Sequence, residues 1–327
     1  MLGQGHLAGG FQIDTTPDRT TLTAFFGAVV IGGTNFVAVR FSNEELEPLF
    51  GAALRFGAAT LLFFAIMRIR RLPMPYGRAA VGAVLYGVLG FGLAYGLLYF
   101  ALVELTAGTT SVIMASVPLI TLLLAVLHRQ ERLSARGVVG GALAIAGIAV
   151  LSTNSLGGEL PPAYVLAAVL GAIAAAESSV VAKGFPRTHP VTTNAVGMAA
   201  GTVFLVAASL AFGEQWTLPS GARTWAALAW LVVAGSVGLF LLFLFVVMRW
   251  TASATTYALT LMPVVAVTLG IVLADERLRV EVVAGGLLVV VAVYVGALGG
   301  RRSPRAGEAP EAPVGSPEVR SPVPGAE

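Results

Sequence analysis

Apolar runs of about 20 residues alternate along the chain with short polar joints. A helix of that length crosses a hydrocarbon core of about 30 Å, and in lipid a helix is favoured because it satisfies its own backbone polar groups. The pattern predicts five spans at Thr20–Arg40, Pro48–Met67, Ala79–Val103, Ala107–Leu127 and Ala135–Ser152. It predicts five more at Pro162–Ala182, Thr192–Gly213, Thr224–Met248, Thr251–Leu273 and Val280–Leu298. Residues 1–19 form a polar, Gly-rich segment without the basic start and apolar run of a cleaved signal peptide. A joint at 153–161, marked by Gly157, Gly158 and Pro161, divides the spans five and five. Residues 299–327 are rich in Pro, Ser, Gly and Glu, and such a tail is expected to be disordered. The expected fold is an all-α integral membrane protein of ten transmembrane helices.

The two groups of spans, 20–152 and 162–298, are related. Glu104 to Val150 shifted forward by 145 residues falls without a gap on Arg249 to Val295. Thr106, Ala107, Thr110, Pro118 and Leu124 land on Thr251, Ala252, Thr255, Pro263 and Leu269. Glu131-Arg132-Leu133 lands on Glu276-Arg277-Leu278, and Val138, Gly140, Gly141, Leu143 and Val150 also find themselves. About five identities would arise by chance at this composition; the charged triplet and the proline are not cheap matches. An internal repeat follows.

Composition agrees with the pattern. Of 327 residues only 11% are charged and 57% are hydrophobic, and the mean hydropathy is +0.85. Soluble domains carry about 25% charged residues. The absence of cysteine excludes disulfides and thiolate chemistry, and the single lysine, Lys183, excludes a Walker A loop. With the N-terminus inside, fifteen of the twenty basic residues fall on cytoplasmic joints and termini; Arg40, Arg55, Arg223, Arg277 and Arg279 remain outside. The positive-inside rule therefore predicts both termini in the cytoplasm. Five spans per copy is an odd number, so the second copy enters inverted, as in alternating-access carriers.

Candidate chemistry concentrates near the midplane. Pro118 and Pro263 sit within about 3 Å of their span centres. A proline there frees the carbonyl four residues back, Met114 or Leu259. Paired interruptions in inverted copies point to a midplane site. Ser111, Ala115 and Pro118 share one stripe, with Thr256, Thr260 and Pro263 as counterparts. These hydroxyls either bind substrate or satisfy loosened carbonyls. Tyr95 is a candidate cavity residue, whereas Tyr99 reads as part of an interfacial belt. Asn35, about 7 Å from the centre of the first span, is inter-helix glue or a substrate contact. Arg55, about two turns inside the second span, reads as snorkelling toward Glu44, Glu45 or Glu47, with a place in the path as the alternative. Glu177 lies about 9 Å inside the sixth span, and three readings compete: proton coupling, a substrate amine, or a structural hydrogen bond. Gly92-x-x-x-Gly96 and Gly197-x-x-x-Gly201 suit close helix approach. All three histidines fall in joints or tails and no metalloprotease motif is present, which argues against an intramembrane enzyme.

Several stretches together carry a family resemblance. They are Gly32-Gly33-Thr34-Asn35-Phe36-Val37-Ala38-Val39-Arg40, Leu54-Arg55-Phe56 and Gly90-Phe91-Gly92-Leu93-Ala94-Tyr95. With them go Ser116-Val117-Pro118-Leu119 and Glu131-Arg132-Leu133, and Met262-Pro263-Val264 and Glu276-Arg277-Leu278. Over about residues 20–298 these stretches resemble the EamA family of the drug/metabolite transporter superfamily. The family's Gly-Glu before the fifth and tenth spans is replaced by Gln130-Glu131 and Asp275-Glu276. The resemblance implies a ten-helix bundle whose cavity is lined largely by the third, fourth, eighth and ninth spans. It also implies carrier-mediated movement, often export, of small metabolites or amino acids across the cytoplasmic membrane. The expected partners are a small-molecule substrate and the lipid bilayer, with protons as candidate coupling ion, no cofactor and no nucleic acid; an intramembrane enzyme or a channel-like component is the rival reading.

Overall fold

The computed structural model describes residues 18–129, 135–156, 161–186, 188–249 and 252–295, and among them every regular element is helical. The first half contains α1 (Arg19–Ser42), α2 (Pro48–Ile69), α3 (Gly77–Gly87), a π-helical segment (Val88–Ala94), α4 (Tyr95–Glu104), α5 (Ala107–Met114), α6 (Val117–Leu127) and α7 (Ala135–Leu156). The second contains α8 (Pro162–Lys183), α9 (Pro190–Phe212), α10 (Ala222–Val232), a second π segment (Val233–Gly238), α11 (Leu239–Arg249), α12 (Ala252–Ala274) and α13 (Val280–Val293). Among the described residues, seven runs are long and apolar enough to cross a membrane: Arg19–Ser42, Pro48–Ile69, Gly77–Glu104, Ala107–Leu127, Pro162–Lys183, Pro190–Phe212 and Ala222–Phe243. Shorter apolar stretches cover Val138–Gly147, Leu261–Ala274 and Val280–Ala292. Leu61, Ile145, Val203 and Leu287 are exposed on these helices, as expected of side chains that face lipid tails.

Local chemistry fixes the helix ends. Asp18 accepts from the Thr21 N–H at 2.9 Å and Thr106 from the Thr109 N–H at 3.0 Å, each satisfying an orphan donor of a first turn. Pro48, Pro162 and Pro190 open α2, α8 and α9, where a missing N–H costs nothing. Gly213, at φ 72°, stops α9 in the left-handed conformation that glycine adopts freely. That turn lays Glu214 on the N-terminus of α2, where its carboxylate accepts from the Leu49 and Phe50 N–H groups at 2.9 and 2.8 Å.

The element boundaries repeat. Gly77 and Ala222, Val88 and Val233, Glu104 and Arg249, Ala107 and Ala252, and Ala135 and Val280 are each 145 residues apart. Packing repeats with them: α8 lies against α3, the first π segment, α4 and α6, while α1 lies against α10, the second π segment, α11 and α12. Close approach between halves depends on missing side chains. A Cβ on Gly201 would stand 2.6 Å from that of Phe91, and one on Gly87 would enter the Gly197 backbone.

Three predicted spans differ from continuous α-helix. The third and eighth each carry a π segment, which widens the turn and leaves local carbonyls free for other donors. The fourth breaks at Ala115–Ser116, where Ser116 N–H and Oγ turn back to the Ile113 carbonyl at 3.1 and 2.6 Å. Pro118 then begins a new helix. Pro263, its counterpart, sits inside the continuous α12.

Among the described residues, carboxylates bridge the halves at one end of the bundle, Glu44 with Arg223 at 3.5 Å among them. Besides Glu214, Glu276 pairs with Arg40 at 2.6 Å and accepts from the Ala107 N–H at 2.8 Å. Glu45 accepts from the Thr224 hydroxyl at 2.6 Å and the Ser220 and Gly221 N–H groups at 2.7 and 3.1 Å. Those donors, the Thr224 hydroxyl first, hold the Glu45 carboxyl at about 2, well below the ordinary carboxylate value. At the opposite end His128 meets Glu177 at 3.0 Å.

Candidate functional site

A cavity of about 380 Å³ lies where the two halves meet, large enough for one small organic molecule. Its walls come from both copies. Asn35, Phe36 and Val39 on α1, Arg55 on α2 and Tyr86 to Leu98 around the first π segment supply much of one side. Met114 and Val117 flank the break between α5 and α6, Ser178 and Ser179 come from α8, and Phe240, Leu259 and Met262 complete the lining. Phe91 is the hub of an aromatic wall, with ring centroids 5.3 Å from Phe56, 5.4 Å from Tyr86, 6.3 Å from Tyr95 and 5.3 Å from Phe240.

One polar knot interrupts this apolar lining. Arg55 has no solvent-exposed surface. Its Nη2 donates to the Gly235 carbonyl at 3.0 Å, its Nε to Ser236 Oγ at 3.0 Å and its Nη1 to the Tyr99 hydroxyl at 3.5 Å. The Gly235 carbonyl also accepts from Asn35 Nδ2 at 3.1 Å. Ser236 Oγ donates to the Leu231 carbonyl at 2.9 Å, a bond that bridges the wide turn. The guanidinium carbon lies 4.9 and 5.1 Å from the ring centres of Phe56 and Tyr95, within range of cation–π attraction. Asn35 Oδ1 is buried without a hydrogen-bond partner.

The predicted site residues divide by position. Asn35, Tyr95 and Ser111 line the cavity, and the Ser111 hydroxyl donates to the Gly108 carbonyl at 2.8 Å. Pro118 and Pro263 stand beside it, while their neighbours Val117 and Met262 form the wall. Glu177 is outside the lining, although Ser178 and Ser179 belong to it; its carboxylate faces His128. Thr256 and Thr260 are on α12, and their side chains lie outside the described residues.

Two expectations are corrected. Arg55 does not snorkel to the acidic loop, because its Nε and Nη2 donate to the π segment of the other copy. Glu45 is turned toward the start of α10, and Glu44 meets Arg223 at 3.5 Å. Tyr99 is fully buried behind Arg55 rather than placed in an interfacial belt. The grouping of Gly235, Ser236 and Tyr86 at the site was not read from the sequence. The only signal was the small-residue stretch Ala234-Gly235-Ser236, which lets another helix reach the backbone.

Known proteins match this arrangement. The EamA-like transporter family matches the chain twice, at residues 19–153 and 162–297. An uncharacterized inner membrane transporter of Escherichia coli (strain K12), YedA, is 30% identical over 277 residues, covering 83% of this chain and 89% of that protein. An uncharacterized transporter of Archaeoglobus fulgidus is 26% identical over 276 residues, covering 82% and 95%. A probable amino-acid metabolite efflux pump of Escherichia coli (strain K12) is 31% identical over 137 residues, covering 40% and 42%. A solved chain with 20% identity superposes with a TM-score of 0.62, covering 86% of this chain and 98% of that one, and shares the fold. With its apolar helices, the protein is a multi-pass cell-membrane transporter of small molecules. The chain belongs to the EamA-like transporter family.

Proposed function

We propose that the protein exports a small organic metabolite across the cytoplasmic membrane by alternating access. In this reading ten helices cross the membrane as two inverted repeats, residues 20–152 and 162–298, with both termini and the segments 1–19 and 299–327 in the cytoplasm. The observation that carries it is the cavity between two copies whose interrupted helices recur 145 residues apart. Inverted copies with broken helices around a midplane site can rock about it and expose it to either side. The carboxylate bridges of Glu45, Glu214 and Glu276 then close the outer end. Tyr86 forms part of both the central cavity and a cleft of about 340 Å³ with Phe185 and Asn194, which supports an inner route. Asn35, Tyr95 and Ser111 contact the substrate, while Pro118 and Pro263 shape the backbone beside it. The amino-acid metabolite named for one relative is a first class of compound to try.

The test begins with a metabolite-resistance and efflux screen in overexpressing cells. Hits are then measured as counterflow in proteoliposomes. Saturable counterflow is expected; flux linear in concentration marks a channel, and chemical conversion of the compound marks an enzyme.

A further inference from the structure

We propose that the transported molecule is an organic anion with a single carboxylate, recognised through Arg55, and an apolar body held by the aromatic wall. This rests on the carrier reading and names the substrate class of the same cavity. Arg55 belongs to the cavity wall, and among the described residues lining the cavity it is the one side chain with a fixed formal charge. No Asp or Glu is among those lining residues, so an ammonium group entering the cavity meets no counter-charge.

A buried guanidinium needs compensation, since a charge in a low-dielectric interior is costly when unpaired. No described carboxylate forms an ion pair with Arg55. Four acids of the nearer bundle end are engaged elsewhere: Glu276 holds Arg40, Glu44 meets Arg223, Glu45 holds the start of α10 and Glu214 holds the start of α2. The knot gives acceptors to three of the five guanidinium N–H groups, the Tyr99 contact being long. One N–H on each terminal nitrogen remains, and a carboxylate can take up such a pair through two parallel bonds.

The duplicated geometry limits the number of charged groups. The first π segment faces Ser178, whose hydroxyl is bonded to its own backbone at 2.7 Å, and Gly201. It offers nothing cationic, so a second carboxylate would be uncompensated. Because Arg55 has no accessible surface, the Tyr95 ring 5.1 Å away must turn aside as the anion arrives. Its movement couples head-group recognition to the wall that holds the body.

The experiment is counterflow in proteoliposomes with matched carboxylates, primary amides and amines on phenylmethyl, cyclohexylmethyl and isobutyl bodies. At least one carboxylate is expected to move saturably, at ten times or more the rate of its amide and amine. Asn35→Asp places an internal anion beside Arg55, since both side chains now donate to the Gly235 carbonyl. This variant is expected to lower carboxylate counterflow at least tenfold while keeping a cooperative thermal transition, although its carboxylate can no longer donate to the Gly235 carbonyl. Arg55→Lys is expected to raise the half-saturating carboxylate concentration while keeping the preference for anions. Saturable movement of amides or amines in preference to carboxylates overturns the anion and leaves the carrier standing. So does a folded Asn35→Asp protein with wild-type carboxylate counterflow. Absence of saturable movement for every compound here and in the cellular screen overturns both.

Discussion

The π segments Val88–Ala94 and Val233–Gly238 occupy the same place in the two copies but meet different neighbours. The first lies under close glycine contacts with α9, where Gly201 meets Phe91. The second is held by side chains: Arg55 and Asn35 share the Gly235 carbonyl, and Ser236 receives the Arg55 Nε–H. The glycines at corresponding positions face different groups too. A Cβ on Gly90 would stand 3.1 Å from the Ser178 hydroxyl, whereas one on Gly235 would run into the Asn35 carboxamide. Duplication kept the backbone device and let its chemistry diverge. A π turn frees carbonyls in either copy, and in the second the Gly235 carbonyl meets a cation, Arg55 of the first. A symmetric scaffold thereby acquires a polar end and an apolar end, which suits an asymmetric solute.

Removing the cation should have the largest effect on this contrast. Arg55→Gln takes the charged donor away from the Gly235 carbonyl, which keeps only Asn35, and from Ser236 Oγ, which keeps only its bond to Leu231, and hydrogen bonds to a charged group contribute about 1.5–3 kcal/mol each. The expected loss is on the order of 3 kcal/mol in detergent unfolding, together with loss of transport. A stability unchanged within error would mean that the second π segment does not depend on the knot. A paired substitution tests the glycines. Gly235→Ala overpacks the Asn35 contact and should cost about 1–3 kcal/mol. Gly90→Ala faces a hydroxyl that can shift, and the helix gains about 1 kcal/mol from losing a glycine, so its net change should be near zero. Equal shifts in thermal midpoint for the two would erase the difference between the segments.

The smallest effect concerns the end of the bundle rather than the knot. The Glu45 carboxyl is held at about 2 in the folded protein, against an ordinary value of 4.5. Its contribution is therefore full above about pH 4.5 and is lost as the pH falls toward 2. Glu45→Gln should flatten the fall in thermal midpoint across that window and leave the pH dependence at neutrality unchanged. An identical acid profile in the variant would show that this bridge does not contribute.

Much of the architecture was legible because it is written in local patterns. Apolar run length marked the helical runs, and the 145-residue offset located the recurrence of their boundaries. Pro118 showed how far such reading reaches. It marks a real break, since a proline cannot donate and its ring clashes with the preceding turn, yet the equivalent Pro263 is absorbed within α12. The two π segments carry no proline, and their sequences differ, Val-Leu-Gly-Phe-Gly-Leu-Ala against Val-Ala-Gly-Ser-Val-Gly. Their widened turns depend on what packs beside them. Arg55 was visible as a charge two turns inside an apolar span, but the direction of its long side chain was not. Its acceptor lies 180 residues away.

The sequence alone determined a duplicated, helical, membrane-embedded chain, because hydrophobic run length and internal identity are properties of the linear order. It also picked out Asn35, Tyr95 and Ser111 as candidates, and these three line one cavity. Only the tertiary structure decided that Arg55 is buried against Gly235 and Ser236, that Tyr99 lies behind it, and that Glu177 meets His128. Those outcomes depend on which donors and acceptors arrive at the same point when two copies pack. In a low-dielectric interior each polar group must find its partner there, and no spacing along one helix names a partner on another.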